Sequence, residues 1–173
     1  MDRQFLFYHA DRDATLKENQ TVELDENNLS RFGSIYWPAL QNLKFEDMNP
    51  AQRREYMAER VKREPQYQSL PSRLQSIFAA NSIEEAIKFA KCISPMPDHN
   101  VPIFEIYAGR FWNFDSIWLD FLNPSASYEP YFNYWEGILS NHRPMEGIRH
   151  PPRIEVLIPL PATIGSIVHT IEW

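Results

Sequence analysis

One cysteine, five glycines and no long apolar run characterise this chain of 173 residues by what it lacks. The single thiol, Cys92, excludes an internal disulfide and a cysteine-rich zinc site. It falls in an apolar helical stretch, which predicts a small buried hydrophobe rather than a nucleophile. The glycines nowhere form the Gly-x-Gly-x-x-Gly dinucleotide fingerprint. No segment approaches the roughly 18 apolar residues of a membrane span. Met1-Asp2-Arg3-Gln4 opens without the basic flank and apolar stretch of a signal peptide, so the expected compartment is the cytoplasm. A net charge of −6 argues against a protein that coats nucleic acid non-specifically.

What is present points to one ordinary domain, residues 1–173, long enough to bury roughly 70% of its unfolded surface without disulfide or metal. Aromatics make up 14% of the chain, enough either for a bulky core or for a cleft that stacks flat ligands. Arg53, Arg54, Arg60, Lys62 and Arg63 cluster in one segment, where an outward helix face balanced by Glu55, Glu59 and Glu64 is the plainer reading and a polyanion contact the alternative. A second basic group, His142, Arg143, Arg149, His150 and Arg153, lies just before Glu155.

Local signals mark out the elements. Residues 5–10 read as a strand ended by Asp11-Arg12-Asp13, and 20–24 as a short extended piece. Asn49-Pro50-Ala51-Gln52 is an N-cap with proline in the first turn, predicting a helix to about Arg63 before Pro65. A strand within 72–80 leads to the capping box of Ser82 and Glu85. Beyond it, Ile83, Ala86, Ile87, Ala90 and Ile93 define a buried helical stripe, with Phe89 on its flank at a cleft edge. Residues 101–112 read as one strand, 128–139 as an aromatic-rich helix, and 154–158 and 164–171 as strands joined through Pro159-Leu160-Pro161. Strands interrupted by a few helices without regular βαβ alternation predict an α+β fold.

Two polar residues stand out against apolar runs. His9 sits in Phe5-Leu6-Phe7-Tyr8-His9-Ala10 and Glu155 in Ile154-Glu155-Val156-Leu157-Ile158. A charge inside such a strand costs free energy unless something is gained by it, so both are candidate chemistry.

Histidine in the first strand, Phe78 in a later strand, Phe89 in the following capped helix and Glu155 in a late strand occur in an order that resembles the ADP-ribosyltransferase superfamily of the diphtheria-toxin and poly(ADP-ribose) polymerase type. Phe7-Tyr8-His9-Ala10 is similar to the family's Tyr-His-Gly-Thr opening, and Ile154-Glu155-Val156 to its Val-Glu-Tyr strand. Phe78 and Phe89, eleven positions apart (89 − 78), match the spacing of the toxin's two stacking tyrosines. More narrowly, these pieces together with Ser116-Ile117-Trp118-Leu119-Asp120 and Tyr134-Trp135-Glu136-Gly137 resemble a bacterial group of uncharacterised domains placed in that superfamily.

The resemblance implies a split antiparallel β-sheet flanked by helices and an enzyme that cleaves NAD⁺, without metal, and transfers ADP-ribose to a macromolecule. Glu155 would be the catalytic carboxylate. His9, with Tyr8 and Ala10, would bind the dinucleotide, and Phe78 and Phe89 would bracket the nicotinamide, keeping the stacking face of the family's tyrosines without the hydroxyl. Asp11 would have to turn away from the diphosphate. Arg153 stands where relatives that modify arginine or guanine carry Glu or Gln; it disfavours an arginine acceptor and would hold a phosphate or the acceptor's backbone. Protein and nucleic-acid acceptors both stay open. The implied setting is a bacterial toxin or phage-defence effector, with an antitoxin or immunity partner if it acts inside its own cell. The alternatives are a catalytically silent member that binds NAD-like ligands or protein, and an unrelated interaction domain, which would need Tyr131, Phe132, Tyr134 and Trp135 exposed.

Overall fold

The computed structural model describes residues 3–121, 127–143 and 150–173. Its strands are β1 (Phe5–Ala10), β2 (Thr21–Val22), β3 (Ser76–Ala79), β4 (Val101–Ala108), β5 (Trp112–Asp115), β6 (Ile154–Pro159) and β7 (Ala162–Ile171). The α-helices are α1 (Arg31–Asn42), α2 (Pro50–Lys62), α3 (Ile83–Cys92) and α4 (Glu129–Trp135). The strands form two antiparallel sheets, ordered β1-β4-β7-β2 and β3-β6-β5, so the protein is α+β. None of the described helices is long and apolar enough to cross a membrane.

The predicted caps form as their chemistry dictates. Asn49 accepts from the Gln52 amide while the Gln52 side chain accepts from the Asn49 amide, at 2.9 and 3.0 Å. Ser82 accepts from the Glu85 amide, but the Glu85 carboxylate reaches one residue further back, to the Asn81 amide. Ala86 and Ala90 are buried as the stripe requires. Ile93 is not: it is the C-cap, where the chain has left the helix, and is 43% exposed. Cys92, expected inside, is exposed for the same reason, since it ends the helix beyond the last buried turn.

Three other expectations are corrected. The strand 101–112 is broken: the chain leaves the first sheet at Ala108, bends at Gly109-Arg110, and resumes as β5 in the second. A helix absent from the sequence reading, α1, begins at Ser30, whose hydroxyl accepts from the Gly33 amide, and contains Pro38. The α2 glutamates do not share an outward face, because Glu55 is fully buried and Glu59 turns towards Ser72 and Arg73. Arg149 of the second basic group lies outside the described residues.

The aromatic helix α4 is packing. Tyr131, Tyr134 and Trp135 are buried with Met57, Val61, Phe114 and Trp118, which removes the exposed aromatic surface that an unrelated docking domain required. Gly165 serves the first sheet sterically: a Cβ there would lie 2.8 Å from the Tyr107 ring and 2.9 Å from Glu105 Cβ. Where the two sheets meet, Tyr8 and Ala80 exchange backbone hydrogen bonds of 3.0 and 2.8 Å. This bridge ties the middle of β1 to the end of β3 and brings His9 beside Phe78.

Candidate functional site

A cavity of about 640 Å³ opens along this junction, within the range of small-molecule sites. Tyr8, His9 and Ala10 of β1, Phe78 of β3, Phe89 of α3, Arg153 just before β6 and Glu155 of β6 all line it. Phe32 and Tyr36 of α1, Arg54 of α2, Arg73 and Cys92 complete much of the wall.

His9 is fixed by its backbone neighbour. Its Nδ1 lies 2.5 Å from the Phe78 carbonyl, which can only accept, so Nδ1 carries the proton. Burial lowers the imidazole pKa, with the Phe78 bond and the charges of Asp11 and Asp13 opposing. A neutral ring protonated at Nδ1 leaves Nε2 as an acceptor for a ligand hydroxyl. Asp11 is spent on its own loop: it is buried, and its Oδ2 accepts from the amides of Thr15 and Leu16 at 2.8 and 2.7 Å.

Each candidate stacking ring lies against a guanidinium. Arg73 sits 4.7 Å from the Phe78 centroid and Arg153 5.5 Å from that of Phe89. Phe78 also meets Phe32 edge-on at 4.7 Å. Arg153 precedes β6 and is fastened at the cavity wall, Nε donating to Ser116 Oγ at 2.9 Å and Nη2 to Asp120 Oδ2 at 2.8 Å. Its charge therefore already has a partner.

Glu155 is 4% exposed, and it is the end of a chain of buried polar groups. Its Oε1 accepts from Arg73 Nη1 and from the Tyr134 hydroxyl. Arg73 in turn donates Nε and Nη2 to Glu55, at 2.8 and 3.3 Å, and Nη1 to Tyr134 Oη at 2.7 Å. Burial opposes the charge on Arg73, but Glu155 and Glu55 overcome it and hold its pKa well above the ordinary value. Burial would raise the Glu55 carboxyl; Arg73 and Arg54 outweigh it and hold that group below the usual carboxylate range. For Tyr134, burial, with Glu155 beside it, pushes the phenol well up despite Arg73, so it remains a donor.

With this geometry in view, comparison with known proteins gives one assignment. The family model described as a protein of unknown function (DUF2441) matches residues 39–168, well over half of the chain. The chain belongs to that family. No curated protein matches it. Within the DUF2441 segment fall Glu55, Arg73, Phe78, Phe89, Tyr134, Arg153 and Glu155, whereas Tyr8, His9 and Ala10 precede it.

Arg73, Glu55 and the polar role of Tyr134 were missed from sequence. Signals existed for two of them. Glu55 shares a helix face with Ala58 and Val61, both buried, so a glutamate at that spacing demands a cation. Arg73 is a lone charge between Leu70 and Leu74 at the entrance to a strand. What no local pattern gives is that the two meet, or that both meet Glu155.

Proposed function

We propose that this DUF2441 protein is an NAD⁺-dependent mono-ADP-ribosyltransferase on a split antiparallel sheet of the superfamily it resembles. The observation that carries the reading is that His9, Phe78, Phe89 and Glu155, contributed by four separate elements, line a common cavity. The two sheets bridged at Tyr8 and Ala80 support the same arrangement.

In this reading Nε2 of His9 accepts from a ribose hydroxyl, and the Phe78 and Phe89 faces hold the nicotinamide. The C1′–N bond breaks with its electron pair going to the ring nitrogen, so neutral nicotinamide leaves. Glu155 stabilises the positive charge that develops on the ribose and accepts from its 2′-hydroxyl. An acceptor heteroatom then attacks C1′ and loses its proton to solvent. The acceptor is a macromolecule, protein or nucleic acid, as suits a toxin or phage-defence effector restrained by a neutralising partner.

One observation favours a second reading. Arg73 pairs directly with Glu155, and a fully neutralised carboxylate would suit a silent domain that binds NAD-like ligands or protein without cleaving them. Incubation with labelled NAD⁺ and cell lysate, followed by separate protease and nuclease treatment, separates the two and assigns the acceptor. Glu155→Gln keeps the side chain's size and loses its charge, so it should lower nicotinamide release about 10²–10³-fold while NAD⁺ affinity and fold persist. Wild-type protein that binds NAD⁺ but releases no nicotinamide would establish the silent reading instead.

A further inference from the structure

We propose that Arg73, clamped from behind by Glu55, is the positioning residue that sets the orientation of the Glu155 carboxylate; this rests on the reading of Glu155 as the group facing the ribose. A guanidinium has five N–H donors in one rigid plane, so two bonds to one carboxylate fix the direction of the third nitrogen. Nε and Nη2 of Arg73 are taken by Glu55, which leaves Nη1 aimed at Glu155 and Tyr134. Glu55 itself does not line the cavity, whereas Arg73 and Glu155 do. The base of the clamp is therefore behind the wall and its tip is in it.

The base is also rigid. Glu55 and Glu59 stand one turn apart on α2, and Glu59 accepts from the Arg73 amide at 3.1 Å and the Ser72 hydroxyl at 2.9 Å. Two acids of a capped helix thus hold both the backbone and the side chain of Arg73. Phe32, Phe78 and Tyr134 surround the guanidinium at 5.7, 4.7 and 5.4 Å.

The consequence falls on one oxygen. Both donors to Glu155 converge on Oε1, and among the described residues none bonds Oε2. Oε2 is the atom free for a substrate hydroxyl. Arg73 divides its donors between the two acids, Nε and Nη2 to Glu55 and Nη1 to Glu155, so Glu155 meets only one of its nitrogens. A tie that served only to join α2 to the second sheet would be complete with Glu55 and needs no bond to a carboxylate in the cavity wall.

The test uses the full chain and its Arg73→Lys, Arg73→Met and Glu55→Gln variants, measuring nicotinamide release, NAD⁺ affinity by calorimetry and the folded fraction. Displacing a reacting group by an ångström costs about 10²-fold, so Arg73→Met should lower kcat by about 10–100-fold per folded molecule with KM within about threefold. Lysine restores the charge without the fork and should recover part of that loss. Glu55→Gln keeps size and one acceptor, perturbs folding less than Arg73→Met, and should lower kcat in the same direction though it never touches ligand. Nicotinamide release that depends on Glu155 but is unchanged per folded molecule in Glu55→Gln and Arg73→Lys would overturn this inference alone. A wild-type protein that releases none would overturn it together with the reading it rests on.

Discussion

Removing Glu55 tests whether the buried ion network is organised as described, independently of any activity. Glu55→Ala takes away the partner of Arg73 Nε and Nη2, both buried with a side chain that is 4% exposed. Breaking a buried pair by deleting one member costs about 3–5 kcal/mol, because the remaining charge has no water to return to. Arg73 keeps Glu155 and Tyr134, which places the expected loss at the lower end, about 3 kcal/mol. Arg54 loses the same partner but is 28% exposed and is rehydrated, adding no more than about 1 kcal/mol. For a domain of this size a loss of about 3 kcal/mol corresponds to roughly 6–12 °C in Tm.

Two further features make the prediction specific. In an Arg73→Met background Glu55 keeps only the partly exposed Arg54, so removing it should cost far less, about 1 kcal/mol; the two mutations are strongly non-additive. The folded-state pKa of Glu55 lies below its unfolded value, so the folded state binds fewer protons and the stabilisation is present above the unfolded pKa of about 4.3. It is lost as the pH falls through the folded value, and the gap between wild type and Glu55→Ala should narrow from pH 5 downwards. Urea unfolding followed by tryptophan fluorescence at several pH values reads all three quantities. A cost below about 1 kcal/mol at pH 7, or one equal at pH 7 and pH 3.5, would refute the reasoning.

Other perturbations follow from single contacts. Burial raises the Glu59 carboxyl pKa, opposed by its Ser72 bond and by Lys62, so its charged form is disfavoured in the fold and the penalty appears as the pH rises above its unfolded pKa. Glu59→Gln keeps an acceptor for Ser72 and Arg73 and should raise stability at neutral pH, a gain that disappears at acid pH in the same urea series. Gly33→Ala would set a Cβ 2.0 Å from the Leu74 carbonyl oxygen, in the turn that carries Arg73. Since backbone must yield, unfolding should show a loss of about 1–3 kcal/mol or more, and the Glu155-dependent activity should fall with it.

Legibility followed the range of the interaction. Asn49 with Gln52 and Ser82 with Glu85 are cap partners three residues apart, so the starts of α2 and α3 could be read directly. The α1 helix was hidden by Pro38, which ordinarily breaks a helix because it removes an amide and crowds the preceding turn. Here the carbonyl that loses its donor belongs to Ser34, which is exposed to water, so the break is tolerated. Ile93 carried the apolar stripe past the end of α3 and Cys92 stands on its last, exposed turn, because no pattern states where packing stops.

By itself the sequence determined the capped starts of α2 and α3, and that His9 and Glu155 are polar residues in apolar strands that must be compensated. It also determined that the chain belongs with DUF2441 proteins. Only the tertiary structure decided what compensates them: a carbonyl of β3 for His9, and for Glu155 an arginine 82 positions away that is itself held by a glutamate 18 positions from it. The reason is physical. Capping and amphipathicity act within a turn or two of backbone, whereas a buried charge is satisfied by whichever partner the packed sheets bring within hydrogen-bond distance, and that distance is set only when the whole chain has folded.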